Sequence, residues 1–86
     1  MENTGRNFNV YAVKDELTGR LLQPIFMESD PEAIRWFKYT LNTTDFWKVN
    51  ASMYSLYRLA EYNEVTGFKE YPIMEMIQGG LAVKED

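Results

Sequence analysis

Two side chains that carry much of protein chemistry are absent from this sequence, which has no cysteine and no histidine. Without cysteine no disulfide can form, and a reducing compartment is favoured. Together the two absences exclude zinc sites built from Cys and His, and also the nucleophile systems that pair Ser or Cys with an imidazole. We therefore expect a protein that is not an enzyme and that uses no cofactor and no metal.

Basic residues are in the minority. The chain has nine Lys and Arg against 13 Asp and Glu, a formal net charge of −4. This balance argues against a protein that coats nucleic acid by bulk electrostatics, although a local basic face stays possible. Long apolar runs are missing as well, and the polar N-terminus lacks the apolar region of a signal peptide. We expect no membrane contact.

Aromatic residues are plentiful, at 15% of an 86-residue chain. A chain of this length forms one small core, and large rings supply much buried area per residue. The same rings can also form a contact surface. We predict a single domain over 1–86, with 1–6 and 81–86 as flexible tails.

The clearest element is a helix over about 31–41. Ser29 or Asp30 can cap it, Pro31 fits its first turn, and Glu32 completes a Ser-x-x-Glu capping box. An apolar stripe at three- and four-residue spacing then follows: Ile34, Phe37 and Leu41. The local signals are consistent with one another, so this helix anchors the rest of the prediction.

A hairpin is predicted on the N-terminal side of the helix. Alternating apolar residues indicate a strand over 8–14, and the loop 15–19 ends in Gly19, which can take a positive φ. The second strand runs over about 21–27. It contains Pro24, which cannot donate to a ladder, so we expect this strand at an edge or with a bulge.

A second hairpin is predicted after the helix. It joins a strand over 53–62 to one over 68–71 that Pro72 ends, and a short helix over 73–78 follows. Leu56 and Leu59 differ in parity, and a bulge near residues 57–58 would point both inward.

The two hairpins and the helix give the order ββαββ. We predict an α+β fold, a four-stranded antiparallel sheet with one helix on a face. Between helix and third strand, we expect Phe46 and Trp47 to fold back onto the core; an exposed binding loop is the alternative. The predicted core comprises Val10, Phe26, Ile34, Phe37, Leu41 and Leu56.

Basic and aromatic residues are interleaved on the outer face of the helix and along the third strand. Such interleaving is typical of single-strand binders, because rings stack on any base and cations hold phosphates. The candidate nucleic-acid-binding residues are Arg35, Trp36, Lys38, Tyr39, Tyr57 and Arg58. A solvated helix exterior is the alternative for the helix. For a Tyr/Arg ladder on the strand, formed by Tyr54, Arg58 and Tyr62, the alternative is a dimer contact.

Acidic residues cluster at the helix start, at Glu28, Asp30 and Glu32. Carboxylates there complement the helix dipole, each contributing about 0.3–1 kcal/mol. We prefer this interpretation to a divalent metal site.

Several stretches resemble the small non-structural protein of gokushoviruses, which are single-stranded DNA phages of the Microviridae. They are Val10-Tyr11-Ala12-Val13-Lys14-Asp15, Gln23-Pro24-Ile25-Phe26 and Asp30-Pro31-Glu32-Ala33-Ile34-Arg35-Trp36-Phe37. The similarity extends over about 8–70. The pattern departs at Ala60, where glycine is usual, and at Met53, where aspartate is common.

The resemblance implies a non-structural phage protein in the host cytoplasm that binds single-stranded DNA during genome synthesis or packaging. A second hypothesis is a protein-interaction module that binds the phage initiator, the capsid assembly or a host replication protein without touching DNA. The acidic balance favours the second hypothesis, and the aromatic excess favours the first. Because some strands carry apolar residues on both faces of a short chain without disulfides, we also expect a homodimer.

Overall fold

The helix begins where the capping signals lie. A computed structural model describes residues 5–43 and 45–80, and its main helix α1 is Asp30–Leu41. The Ser29 hydroxyl accepts a hydrogen bond from the Glu32 backbone N–H at 3.4 Å, and the Glu32 carboxylate accepts one from the Glu28 N–H at 3.3 Å. Ser29 is the N-cap, and the Glu32 carboxylate reaches back to the backbone N–H of Glu28, the residue before the cap. The predicted helix is confirmed.

The strands form one antiparallel sheet. Their bounds are β1 Asn7–Asp15, β2 Arg20–Leu21, β3 Ile25–Met27, β4 Tyr54–Asn63 and β5 Gly67–Gly79. The order is β2-β1-β4-β5. The short strands β2 and β3 follow each other along the same edge of β1, β2 opposite residues 14–15 and β3 opposite residues 9–11. The predicted α+β fold with ββαββ order is confirmed, with one main helix.

The second predicted strand is interrupted. The sequence predicts one strand over 21–27, whereas the structure has the separate strands β2 and β3, with Pro24 between them. Proline has no N–H to give to the ladder, so pairing with β1 stops around it and resumes at Ile25. The prediction of an edge strand disturbed at Pro24 is confirmed, and that of a continuous strand is wrong.

The last strand is longer than predicted. The helix expected over 73–78 is absent, because β5 continues through this segment and pairs with β4 up to Gly79. Pro72 is tolerated because β5 is an edge strand and because residues 71–74 bulge out opposite the single residue Leu59. The first hairpin loop ends as predicted, with Gly19 at φ 77°, and the second loop ends in the same way at Gly67, with φ 90°.

The connection between α1 and β4 folds into two short helical segments, α2 at Asp45–Val49 and a 3₁₀ helix at Ala51–Met53. Trp47 packs on Tyr54 with ring centroids 4.7 Å apart, as predicted for a ring folded onto the core. Phe46 points outward and is 65% exposed, so the same prediction is wrong for that residue.

The main hydrophobic cluster lies on the helix side of the sheet. Tyr11 and Val13 of β1 face α1, and the cluster that they join contains Ala33, Phe37, Leu41, Ala51, Tyr54 and Leu56. Ile34 packs on this cluster but is only partly buried. Val10 is buried on the opposite side of the sheet, away from α1, and Phe26 beside it is 47% exposed. The odd-numbered residues of β1 face the helix, and Phe26 pairs with the even-numbered Val10, so its ring lies on the side away from the helix. The prediction that Phe26 belongs to the core is wrong.

The predicted tails fall largely outside the described residues. Of 1–6 and 81–86, the structure describes only residues 5 and 6. The Arg6 backbone N–H donates to the Glu64 carboxylate at 3.0 Å, and the Arg6 carbonyl accepts a hydrogen bond from the Glu64 backbone N–H at 3.1 Å. In the described ranges, no helix has the length and apolar character needed to cross a bilayer.

Candidate binding site

A bulge in β4 decides where the predicted site residues point. Val10 lies opposite Ala60 and Tyr11 opposite Arg58, which leaves Leu59 as the extra residue. Tyr54 and Arg58 therefore lie on the helix side of the sheet, whereas Tyr62 lies on the other side. The Tyr54, Arg58, Tyr62 ladder predicted on one face is wrong.

The bulge itself was expected, but its effect was not. Leu56 packs inward against α1, as predicted. Leu59 instead lines a surface hollow on the far side of the sheet together with Val10. The extra residue thus reverses the alternation of side chains after Arg58 and does not bring both leucines to one core.

Arg58 is held in the seam between α1 and the sheet. Its Nη1 donates to both carboxylate oxygens of Asp30 at 2.9 and 2.8 Å, and its Nη2 donates to Glu75 at 2.6 Å. The pKa of this guanidinium is raised overall. Burial alone would lower the pKa, but the hydrogen bond to Glu75 and the charge of Asp30 together have the larger effect. Two carboxylates thus already neutralise Arg58, so its role is to join β4, β5 and the helix start.

Tyr11 completes the same seam. Its hydroxyl donates to Asp30 and accepts from the Asn9 side-chain amide at 3.0 Å. Burial, with a further contribution from the Asp30 hydrogen bond, raises the pKa of Tyr11 to about 12. The helix cap and the sheet are therefore linked through one carboxylate that serves two partners.

Tyr57 lies on the opposite side of the sheet from Arg58, because it pairs with Ala12. Its hydroxyl donates to Glu16 at 3.0 Å, and the Lys14 ammonium is 5.4 Å from its ring centroid. Burial and the Glu16 bond raise the pKa of Tyr57. The structure therefore separates the two strand residues of the predicted patch.

Three of the four helix residues of the predicted patch do come together, beside β3. Arg35, Trp36 and Tyr39 line an open hollow of about 670 Å³, which we call the edge hollow. Its other lining residues are Arg6, Phe8, Phe26, Met27, Glu28 and Glu32. Lys38 is half-buried on α1 and does not line the hollow.

The edge hollow is aromatic and carries balanced charge. Arg6 forms an ion pair with Glu28 at the rim, and its guanidinium carbon lies 5.0 Å from the centroid of the Phe8 ring. Arg35 is exposed and makes no ion pair with any other described residue. Four rings and a guanidinium without an acidic partner therefore surround one open space.

Sequence reasoning missed Arg6, Phe8 and Phe26 as members of this site. Phe26 was assigned to the core and Arg6 to a tail. The pairing of Val10 with Phe26 and of Phe8 with Tyr62 turns both Phe rings away from α1, and no local signal encodes that register. The one available signal was that Phe8 and Val10, at alternate positions of β1, form an apolar second face of that strand.

The acidic residues at the helix start have partners of their own. Glu28 binds Arg6, and Asp30 binds Arg58 and Tyr11. Within the described part of the chain, no three acidic residues are grouped so that they could hold a metal ion.

The chain matches the family model described as Phage ORF5 protein over residues 8–82. The match spans most of the sequence, so the chain belongs to the Phage ORF5 protein family and is a phage protein. No curated protein and no solved structure matches it.

Proposed function

We propose that this phage protein binds single-stranded DNA weakly through the edge hollow during genome synthesis or packaging in the host cytoplasm. We extend the family assignment, as a proposal, to phages of the gokushovirus type, whose genomes are single-stranded DNA. The observation that carries the proposal is the convergence of Arg35, Trp36 and Tyr39 with Phe8 and Phe26 around one hollow.

The geometry supports stacking more than phosphate binding. Base stacking on an aromatic side chain is worth about 1–3 kcal/mol and does not depend on sequence. The volume of about 670 Å³ falls within the roughly 300–1,000 Å³ of ligand sites, and the hollow is open, as a passing strand requires. We therefore expect bases to contact Tyr39 and Trp36, with Arg35 at a phosphate.

Few phosphates can be neutralised, because Arg58 is committed to the seam and Arg6 is paired. With one or two phosphate contacts, the single-strand salt slope predicts binding only about threefold to sevenfold weaker at 200 mM than at 50 mM salt. A shallow salt dependence is therefore part of the proposal.

Fluorescence anisotropy with a labelled oligothymidine tests the proposal. Tyr39→Ala removes a ring that is 72% exposed, so it leaves the core intact. We expect it to weaken binding at least about fivefold, the lower end of the stacking range, without changing the salt slope. Arg35→Glu should weaken binding and flatten the slope.

Phe46→Ala is the matched control, since it removes an equally accessible ring from α2, outside the edge hollow. It should bind as the wild type does. If wild-type protein binds no single strand at low salt, or if all three variants bind equally well, the proposal fails.

The second candidate is an interaction module for a phage or host replication protein. The balanced charge of the edge hollow and the net charge of −4 favour it. Absence of DNA binding by folded wild-type protein, together with capture of a replication or capsid protein that Tyr39→Ala abolishes, would support this candidate.

A further inference from the structure

Among residues 5–43 and 45–80, no element covers one face of the sheet. All buried residues of the described helices belong to the core on the Tyr11 and Val13 side. The opposite side, which we call the uncovered face, is centred on Phe8, Val10, Phe26, Ala60, Tyr62 and Phe68, as the strand pairing shows. An antiparallel sheet can leave its second face in water when that face is polar, but this face carries apolar side chains, so it lacks a partner.

Four rings form a continuous cluster on the uncovered face. Tyr62 lies 4.8 Å from Phe68 and 5.4 Å from Phe26, measured between ring centroids, and Phe8 lies 6.5 Å from Tyr62. Phe68 is 60% exposed and Phe26 is 47% exposed. With rings of about 200 Å² each, these two residues alone leave on the order of 200 Å² of aromatic surface in water.

An apolar hollow of about 430 Å³ continues this surface, with Val10, Leu59, Phe68 and Met74 among its lining residues. Large contiguous apolar patches on a protein surface mark interaction sites. The uncovered face therefore combines protruding rings with a concave apolar region beside them, as self-complementary interfaces do.

The size of the face fits a dimer interface. At a rise of about 3.3 Å per residue and a strand spacing of about 4.8 Å, the four-stranded sheet covers roughly 600 Å² in flat projection. Protruding side chains increase the accessible area above this value. A stable dimer buries about 800 Å² per partner, which is the same order.

Charge on the uncovered face favours a second copy over nucleic acid. Strand alternation places Lys14 and Glu70 on this face, and Glu16 lies beside Lys14 as its ion-pair partner. With Lys14 paired, the face carries little net charge compared with the −4 of the whole chain, so charge opposes self-association only weakly. A phosphate backbone would meet no excess of positive charge there.

We propose that the uncovered face is a homodimer interface, with the sheets of two copies stacked face to face and the ring cluster at its centre. Packed sheets lie about 10 Å apart, a spacing that interdigitating rings fill. The two surfaces share Phe8 and Phe26, but this inference does not rest on single-stranded DNA binding, because the Tyr62 and Phe68 rings and the apolar hollow beside them lie outside the edge hollow.

Sedimentation equilibrium tests the interface over about 1–100 μM protein, since interfaces of this size have dissociation constants of micromolar or tighter. We expect a mass near 20 kDa, twice the 10.1 kDa of one chain. Phe68→Lys should weaken association about 30-fold or more, as expected for a central interface ring. Phe46→Lys is the control, because it places the same charge on an equally exposed ring of α2, and it should stay dimeric.

A wild-type mass near 10 kDa at every concentration would overturn the proposal. The proposal would also be overturned if the Phe68→Lys and Phe46→Lys variants had the same dimer dissociation constant, since a different surface would then form the interface. If the wild type is monomeric and Phe68→Lys abolishes DNA binding, the uncovered face binds nucleic acid and the dimer inference is wrong.

Discussion

Individual residues divide between stability and binding according to their partners. Arg58 looks from the sequence like a base beside aromatic residues, yet two carboxylates bind it in the seam. Arg35 on the adjacent helix makes no ion pair within the described ranges and faces the edge hollow. Two residues of the same type thus have different surroundings, and only their tertiary partners distinguish them.

The seam predicts a sensitivity to alkaline pH. The folded-state pKa of Tyr11, about 12, lies above its ordinary value of 10.0. Its contribution to the free energy of unfolding is therefore fully present below pH 10 and is lost as the pH rises from 10 to 12. Urea unfolding at these two pH values should show lower stability at the upper one.

Tyr11→Phe should be less stable than the wild type at neutral pH, because it loses the bond to Asp30, but its stability should fall less between pH 10 and 12. A residual decline is expected, since the pKa values of Tyr57 and Tyr71 are also raised. Tyr39→Phe, on an exposed ring, should follow the wild type. Identical alkaline declines in both variants would refute this role of Tyr11.

At the scale of elements, the predictions that succeeded rest on local signals. The capping residues and the apolar stripe define α1 wherever it packs, and the two hairpin glycines define their turns. The failures concern β-structure, because pairing is decided by distant residues. Pro72 looks like the end of a strand, but pairing with β4 extends β5 through Pro72 to Gly79.

The candidate site follows the same division. The helix residues of the edge hollow share one face of α1, so the sequence could group Arg35, Trp36 and Tyr39 correctly. The strand residues could not be grouped, because the extra residue Leu59 reverses the alternation and puts Tyr62 on the opposite side of the sheet from Tyr54 and Arg58. A one-residue change of register moves every later side chain to the other face.

The end of β5 offers a sharp test of the packing between elements. A Cβ added at Gly80 would lie 1.8 Å from the Ala51 carbonyl oxygen and 2.5 Å from that of Tyr54, and both are backbone atoms. Gly80→Ala should therefore destabilise the protein by about 1–3 kcal/mol, the usual cost of overpacking. Thermal unfolding monitored by circular dichroism measures the effect.

Gly79→Ala is the neighbouring control, because its added Cβ meets no atom within 4 Å. It should change stability by no more than about 0.5 kcal/mol. Equal melting temperatures for the two variants would show that β5 does not end against the 3₁₀ helix as described.

At the scale of the whole molecule, the helix side of the sheet forms the core and the other side is left open. The edge hollow lies at the boundary, where Phe8 and Phe26 line the hollow together with the helix residues and also contact the Tyr62 ring of the uncovered face. Dimerisation over the uncovered face would leave Arg35 and Tyr39 accessible, because they project from α1. An acidic phage protein could then bind strands mainly by stacking.

The most direct test of the central claim is a map of amide and indole chemical shifts during titration of the wild-type protein with oligothymidine at about 50 mM salt, where the electrostatic contribution is still present. We expect the largest changes at Arg35, Trp36 and Tyr39, with smaller ones at Phe26 and none along α2. Unchanged spectra at saturating oligonucleotide, or changes centred on Asp45–Val49, would contradict the account.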